Sequence, residues 1–129
     1  MKGRILHIED NEQNRYLVTF LLEKSGYEVI AATSGPRGIE LASERRPDLI
    51  VLDIQLPGMD GYAVARALKA DPQLRSIPIV AVTSYAMVGD REQAIAAGCD
   101  GYMEKPVDPE TFVTEIEFFL SGNGKESAP

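Results

Sequence analysis

Five side chains with complementary chemistry come from four separated segments of the 129-residue chain: Glu9 and Asp10, Asp53, Thr83, and Lys105. Each segment follows a short stretch that reads as a strand: ILHI before the acidic pair, LIVL before Asp53, IPIVAV before Thr83, and GYME before Lys105. Three carboxylates gathered at one place repel one another, at a cost that grows as water is excluded. They need a cation. Oxygen-only ligation, with no cysteine or obvious histidine ligand beside it, favours hard Mg²⁺ over zinc. A carboxylate flanked by a metal, an ammonium and a hydroxyl is a site for accepting a phosphoryl group. Asp53 would attack as nucleophile, while the metal and Lys105 neutralise the non-bridging oxygens. No residue of the set is specific alone. Asp53 by itself reads equally as a loop cap, and Thr83 and Ser84 as turn residues. Thr83 is the better hydroxyl because it directly ends its strand.

The elements that must bring these residues together follow from periodicity and turn signals. Leu49 to Asp53 is an unbroken apolar run closed by Pro57, Gly58, Asp60 and Gly61, which reads as a strand buried on both faces. Further strands are expected at Ile5–Ile8, Tyr27–Ala32, Ile77–Val82 and Gly101–Glu104, the second nearer an edge because of Glu28. Helices alternate with them. The first is capped by Asn11, carries Leu17, Val18, Phe20, Leu21 and Leu22 as its apolar face, and stops at Ser25-Gly26. The second opens at Ser34-Gly35-Pro36, the third runs from Gly61 to about Ala70, and the fourth from about Val88 to Ala97. The last starts at Asp108-Pro109 with Phe112, Val113, Ile116, Phe119 and Leu120 as its buried stripe. Strands alternating with helices imply a parallel sheet with right-handed crossovers and helices on both faces, a doubly wound α/β fold. In such a sheet functional residues collect at the C-terminal strand ends, where all five side chains fall. His7 interrupts the first strand and reads as a hydrogen-bonded core residue rather than a ligand. Ser121 to Pro129 has no large apolar anchor and reads as a disordered tail after a single domain spanning residues 1–120.

Composition excludes several classes. A net charge of −7 argues against nucleic acid as a direct partner. With 44% hydrophobic and 26% charged residues the chain is an ordinary globular protein. No apolar stretch is long enough to cross a bilayer, and no signal peptide fits before Glu9. The single cysteine, Cys99, forms no internal disulfide and suits a reducing, cytoplasmic setting.

Taken in order and at these separations, ILHIEDN, LIVLDIQLPGMDG, PIVAVTS and GYMEKPV resemble the response-regulator receiver domains of two-component signalling, over roughly residues 4 to 120. Receivers without an attached output domain are the closest comparison. The resemblance implies a flavodoxin-like sheet of order 2-1-3-4-5 with five helices. It implies Asp53 as phosphoacceptor, Asp10 and Glu9 as Mg²⁺ ligands with Asp53, and the backbone carbonyl of Gln55 as a further ligand. Lys105 is implied to contact the phosphoryl group, the bond to Pro106 to be cis, Thr83 to move toward the phosphoryl oxygens, and Tyr102 to turn inward with it. Gln55 and Tyr85 fall where the family tunes dephosphorylation. The implied partners are a histidine kinase or histidine phosphotransfer protein, and a downstream protein meeting the face of the fourth helix, fifth strand and fifth helix. The chain is then a self-labelling switch rather than a turnover enzyme.

Two other readings belong to different classes. A phosphoaspartate-forming hydrolase also places an aspartate after a buried strand, but needs a second acid two residues on, where this chain has Gln55. A phosphorylation-independent scaffold would show no Mg²⁺ affinity.

Overall fold

The computed structural model describes residues 2–84 and 89–121. Its described elements alternate strictly: β1 (Gly3–Ile8), α1 (Glu12–Lys24), β2 (Tyr27–Ala32), α2 (Gly35–Arg45), β3 (Leu49–Asp53), α3 (Gly61–Ala70), β4 (Ile79–Thr83), α4 (Asp90–Ala96), β5 (Gly101–Glu104) and α5 (Phe112–Leu120). The sheet order is β2-β1-β3-β4-β5 and every pairing is parallel. Glu28 therefore sits on an edge strand. In an all-parallel sheet the C-terminal strand ends share one edge. The register sets Asp53 beside Val82, and Thr83 beside Glu104.

The period-2 alternation of the strands sorts the core into two layers. Ile5, Leu49, Val51, Val80 and Val82 pack with Val18 and Leu22 of α1 and Phe112 and Ile116 of α5. Leu6, Ile8, Ile50, Leu52, Ile79 and Ala81 pack on the other face with Leu41 of α2, Val64 and Leu68 of α3, and Ala94 of α4. All five residues of β3 are buried, as a strand covered on both faces requires. Three helices begin on side-chain caps. Asn11, Ser34 and Asp60 accept from the backbone N–H groups of Asn14, Arg37 and Ala63 at 2.9, 3.3 and 2.9 Å, each cap contributing about 1 kcal/mol.

Several local expectations shift. β4 begins at Ile79 rather than Ile77: Pro78 has no N–H to pair, although its carbonyl accepts from Ile50 N at 2.9 Å. α5 begins at Phe112 rather than Asp108. The Asp108 carboxylate takes the N–H of Glu110 at 2.9 Å, and this local turn occupies the residues that would have formed the first helical turn. Phe20 does not join the apolar face of α1. Val18 and Leu22 define the buried side, and Phe20 lies across the helix from both, half exposed and stacked on Tyr16 with ring centroids 6.4 Å apart. His7 is buried, yet its Nδ1 has no hydrogen-bond partner, against the expectation of a satisfied core histidine. Tyr85, the start of the fourth helix at Val88, and residues 122–129 of the expected tail lie outside the described residues.

Candidate functional site

β1 ends at Ile8, and the chain leaves the sheet carrying Glu9 buried and Asp10 exposed. The turn that follows is held from α1. Arg15 donates through Nη1 to the carbonyls of Glu9 and Asp10, at 3.0 and 2.8 Å. Asn11 N donates to Glu9 Oε2 at 3.2 Å. Asp53 is the last residue of β3, and alternation turns its side chain to the same sheet face as Leu49 and Val51. Its carboxylate is buried and accepts from Gln55 N at 3.0 Å. Gly61 lets α3 start close beneath this strand end: a Cβ there would stand 2.5 Å from Ile54 Cα and 2.7 Å from the Asp53 carbonyl oxygen.

Glu9, Asp10 and Asp53 each offer an oxygen, and these oxygens lie within 4.8 Å of one another. Lys105 reaches the cluster from beyond β5, its Nζ 2.8 Å from Glu9 Oε1 and 3.3 Å from Asp53 Oδ1. The Lys105–Pro106 bond is cis, and Lys105 N donates to the Thr83 carbonyl at 2.8 Å, which ties the lysine's backbone to the end of β4. Among the described residues one ammonium thus meets a cluster of three carboxylates. Burial, reinforced by the hydrogen bond to Asp53, pushes Glu9 up to about 7, with Lys105 pulling the other way. Without a further cation the cluster holds a proton near neutrality. That excess of negative charge, on an all-oxygen donor set at the mouth of the sheet, fits a hard divalent ion such as Mg²⁺.

Thr83 is buried at the end of β4. Its hydroxyl accepts from Gln55 Nε2, while Gln55 Oε1 accepts from Ser84 N at 3.0 Å. The Gln55 side chain thereby joins the loop after β3 to the end of β4. Tyr102 lies half-buried on β5, beside Ala81 and packed against the core layer under α2, α3 and α4. The residues singled out by the sequence thus meet at one sheet edge, with Tyr102 set back along β5. Two contributors escaped the sequence reading. Arg15 of α1 pins the acidic turn. Its position one turn into a helix that starts beside two acids was the available signal. The bridging role of the Gln55 side chain left no signal in the chain order.

Comparison with known proteins agrees with this geometry. The family model for the response regulator receiver domain matches residues 5–117. The polar-differentiation response regulator DivK of Brucella anthropi is 44% identical over 120 residues, covering 93% of this chain and 98% of DivK. The receiver domain of the sensor histidine kinase PA1611 from Pseudomonas aeruginosa PAO1, solved with a magnesium ion coordinated in its active-site cleft, superposes with a TM-score of 0.86 at 31% identity, over 94% of this chain and 99% of that one. The Vibrio cholerae chemotaxis protein CheY4 gives a TM-score of 0.86 at 27% identity, over 91% and 98%. A fold, an acidic cluster and a family match over most of the chain converge, and the protein belongs to the response-regulator receiver-domain family.

Proposed function

We propose that this chain is a phosphorylation-controlled signalling switch in which Asp53 accepts a phosphoryl group from a histidine kinase or histidine phosphotransfer protein. The observation that carries this reading is the three-carboxylate cluster with a single ammonium bridging Asp53 and Glu9. Asp53 Oδ attacks the donor's phosphorus as its bond to the histidine nitrogen breaks, and the phosphoryl group ends on the carboxylate. Glu9, Asp10, Asp53 and the Gln55 carbonyl would hold a Mg²⁺ ion, which would supply charge neutralisation at the non-bridging oxygens. Lys105 leaves Glu9 to meet the new phosphoryl charge, and Gln55 N–H, already directed at Asp53, orients the carboxylate. Thr83 then releases Gln55 and turns its hydroxyl toward the phosphoryl group, while Tyr102 moves further into the core layer it already borders. The face of α4, β5 and α5 is thereby remodelled for a downstream protein. Among the described residues no helix is long and apolar enough to cross a membrane, and we place the switch in the cytoplasm with residues 1–120 as its receiver domain.

The test is labelling with a phosphohistidine donor or a small acyl phosphate in Mg²⁺. The wild type takes up an acid-stable, hydroxylamine-labile phosphoryl group at one equivalent, and Asp53→Asn takes up none. Undiminished labelling of Asp53→Asn, or catalytic turnover of phosphomonoesters by the wild type, overturns the assignment.

A further inference from the structure

His7 stands on β1 two residues before Glu9, so alternation puts both side chains on the same sheet face. It is 2% exposed, and its Nδ1 is the one buried side-chain polar atom among the described residues that has no partner. Such a group destabilises the fold if it stays unsatisfied, whichever ring nitrogen carries the proton. Beside it, between the sheet and α1, is a void of about 10 Å³, counted as space for the centre of a water molecule. His7, Glu9, Asn14, Lys105, Val51 and Val82 line it. By the same measure one water needs about 10–15 Å³ and two to four polar partners. The wall supplies them. His7 Nδ1 is unpaired, and Lys105 spends two of its three N–H donors on Glu9 and Asp53. Glu9 and Asn14 add further polar side chains to the wall, and the rest of the lining is aliphatic.

We infer that His7 holds a single buried water in this void, and that the water, bonded in turn to the Lys105 ammonium, makes His7 a positioning residue for that lysine. The imidazole touches neither the phosphoryl group nor the metal; it acts through the water on where Lys105 points. The catalytic part of this inference rests on the role proposed for Asp53 and Lys105, whereas the water and the immobilised ammonium do not depend on it.

The experiment compares wild type, His7→Leu and His7→Asn. Leucine fills the void and removes the polar atom, while asparagine keeps a polar atom at the δ position. A crystal structure that resolves ordered waters shows a peak within hydrogen-bond reach of His7 Nδ1 in the wild type. Proton–nitrogen spectra selective for lysine ammonium groups show a slowly exchanging Lys105 signal in wild type and His7→Asn that is lost in His7→Leu. Labelling by a small acyl phosphate slows about tenfold in His7→Leu and recovers to within about twofold in His7→Asn. Melting curves confirm that the variants compared are folded. A dry void, a Lys105 signal unchanged in His7→Leu, or labelling of folded His7→Leu at the wild-type rate overturns the inference. Failure of the wild type to label would instead remove the Asp53 reading, with the water peak and the ammonium signal still deciding whether His7 holds Lys105.

Discussion

The two edges of the sheet both gather charge, and they treat it in opposite ways. At the N-terminal edge Arg4 bonds Glu28 at 2.9 Å, Arg45 bonds the same carboxylate at 2.8 Å, and Arg4 N is met by Asp48 at 2.8 Å. Nearby, Glu117 takes a hydrogen bond from Tyr27 at 2.7 Å and the Lys2 ammonium at 3.4 Å. These charges are matched and wet, with side chains about a third to a half exposed. At the C-terminal edge the Glu9 and Asp53 side chains are each 2% exposed and that of Lys105 12%, and among the described residues this one cation pairs with both, with an Asp10 oxygen close by. Balanced surface pairs shape a rim at little cost or gain. Buried, unbalanced charge is expensive, and a fold keeps it where a ligand completes it. Proximity to a strand end is common to both edges; the deficit of cations is what separates site from rim.

The largest effect expected from breaking this contrast is at Lys105. Replacement by methionine removes the single ammonium from the cluster, and initial labelling of Asp53 by a small acyl phosphate falls by about 10²–10³-fold. Mg²⁺ binding is retained, because no ligand is lost. A smaller effect follows from adding the cation the cluster lacks. At a hundredfold excess over its dissociation constant, Mg²⁺ stabilises the folded chain by about 2.7 kcal/mol. Thermal melts in MgCl₂ against EDTA read this as a rise in Tm for the wild type and none for Asp10→Asn. Equal shifts in both proteins would move the ion to another place.

The contrast between the edges also marks what the chain made legible. Strand β3 was legible because burial on both faces leaves no polar residue between Leu49 and Leu52, and the acid that follows must stand at the sheet's rim. The chemical complement of the site followed from listing strand ends, which chain order alone supplies. Residues whose role depends on a partner across the fold were not legible. Phe20 has the apolar character of its neighbours, yet the angle around α1 set by Val18 and Leu22 turns it to solvent against Tyr16. His7 looked like an ordinary core histidine; only packing shows that no acceptor or donor reaches its Nδ1. Gln55 was singled out for its backbone carbonyl and as a position that tunes dephosphorylation, while its side chain spans to Thr83 and Ser84 across 28 and 29 residues of sequence. Covalent spacing predicts elements; pairing between elements requires the register.

The acidic edge carries a raised carboxyl, opposite in sign to the lowered Glu28 and Glu117 of the paired edge. Glu9 is pushed up to about 7, chiefly by burial and then by its hydrogen bond to Asp53. A carboxyl raised on folding holds its proton where the unfolded chain has already lost it. Between the ordinary glutamate value near 4.5 and about 7 the folded state therefore binds more protons, and stability falls as pH rises through that window. In EDTA, the stability difference between wild type and Glu9→Gln declines from pH 4.5 to 7 and is flat above it. Saturating Mg²⁺ removes the decline, since the ion replaces the proton. A wild-type curve parallel to that of Glu9→Gln in EDTA would mean that Glu9 ionises as an ordinary surface acid.

The smallest effect is expected at the opposite edge, and its smallness is what gives it force. Arg4→Met removes the guanidinium that bridges Glu28 and the Arg45 carbonyl. Glu28, which its two arginines hold below the usual carboxylate range, keeps Arg45 and open water as partners. Tm shifts by no more than a few degrees, in line with a solvent-screened pair, and phosphoryl labelling and Mg²⁺ response stay at wild-type levels. Salt sharpens the same point, because the exposed pair weakens within a Debye length of about 8 Å at physiological ionic strength, while the buried cluster is screened far less. A raised ionic strength should therefore erase the Tm difference between wild type and Arg4→Met and leave the Lys105→Met labelling defect in place. Loss of labelling in folded Arg4→Met would show that charge at one end of the sheet reaches the other.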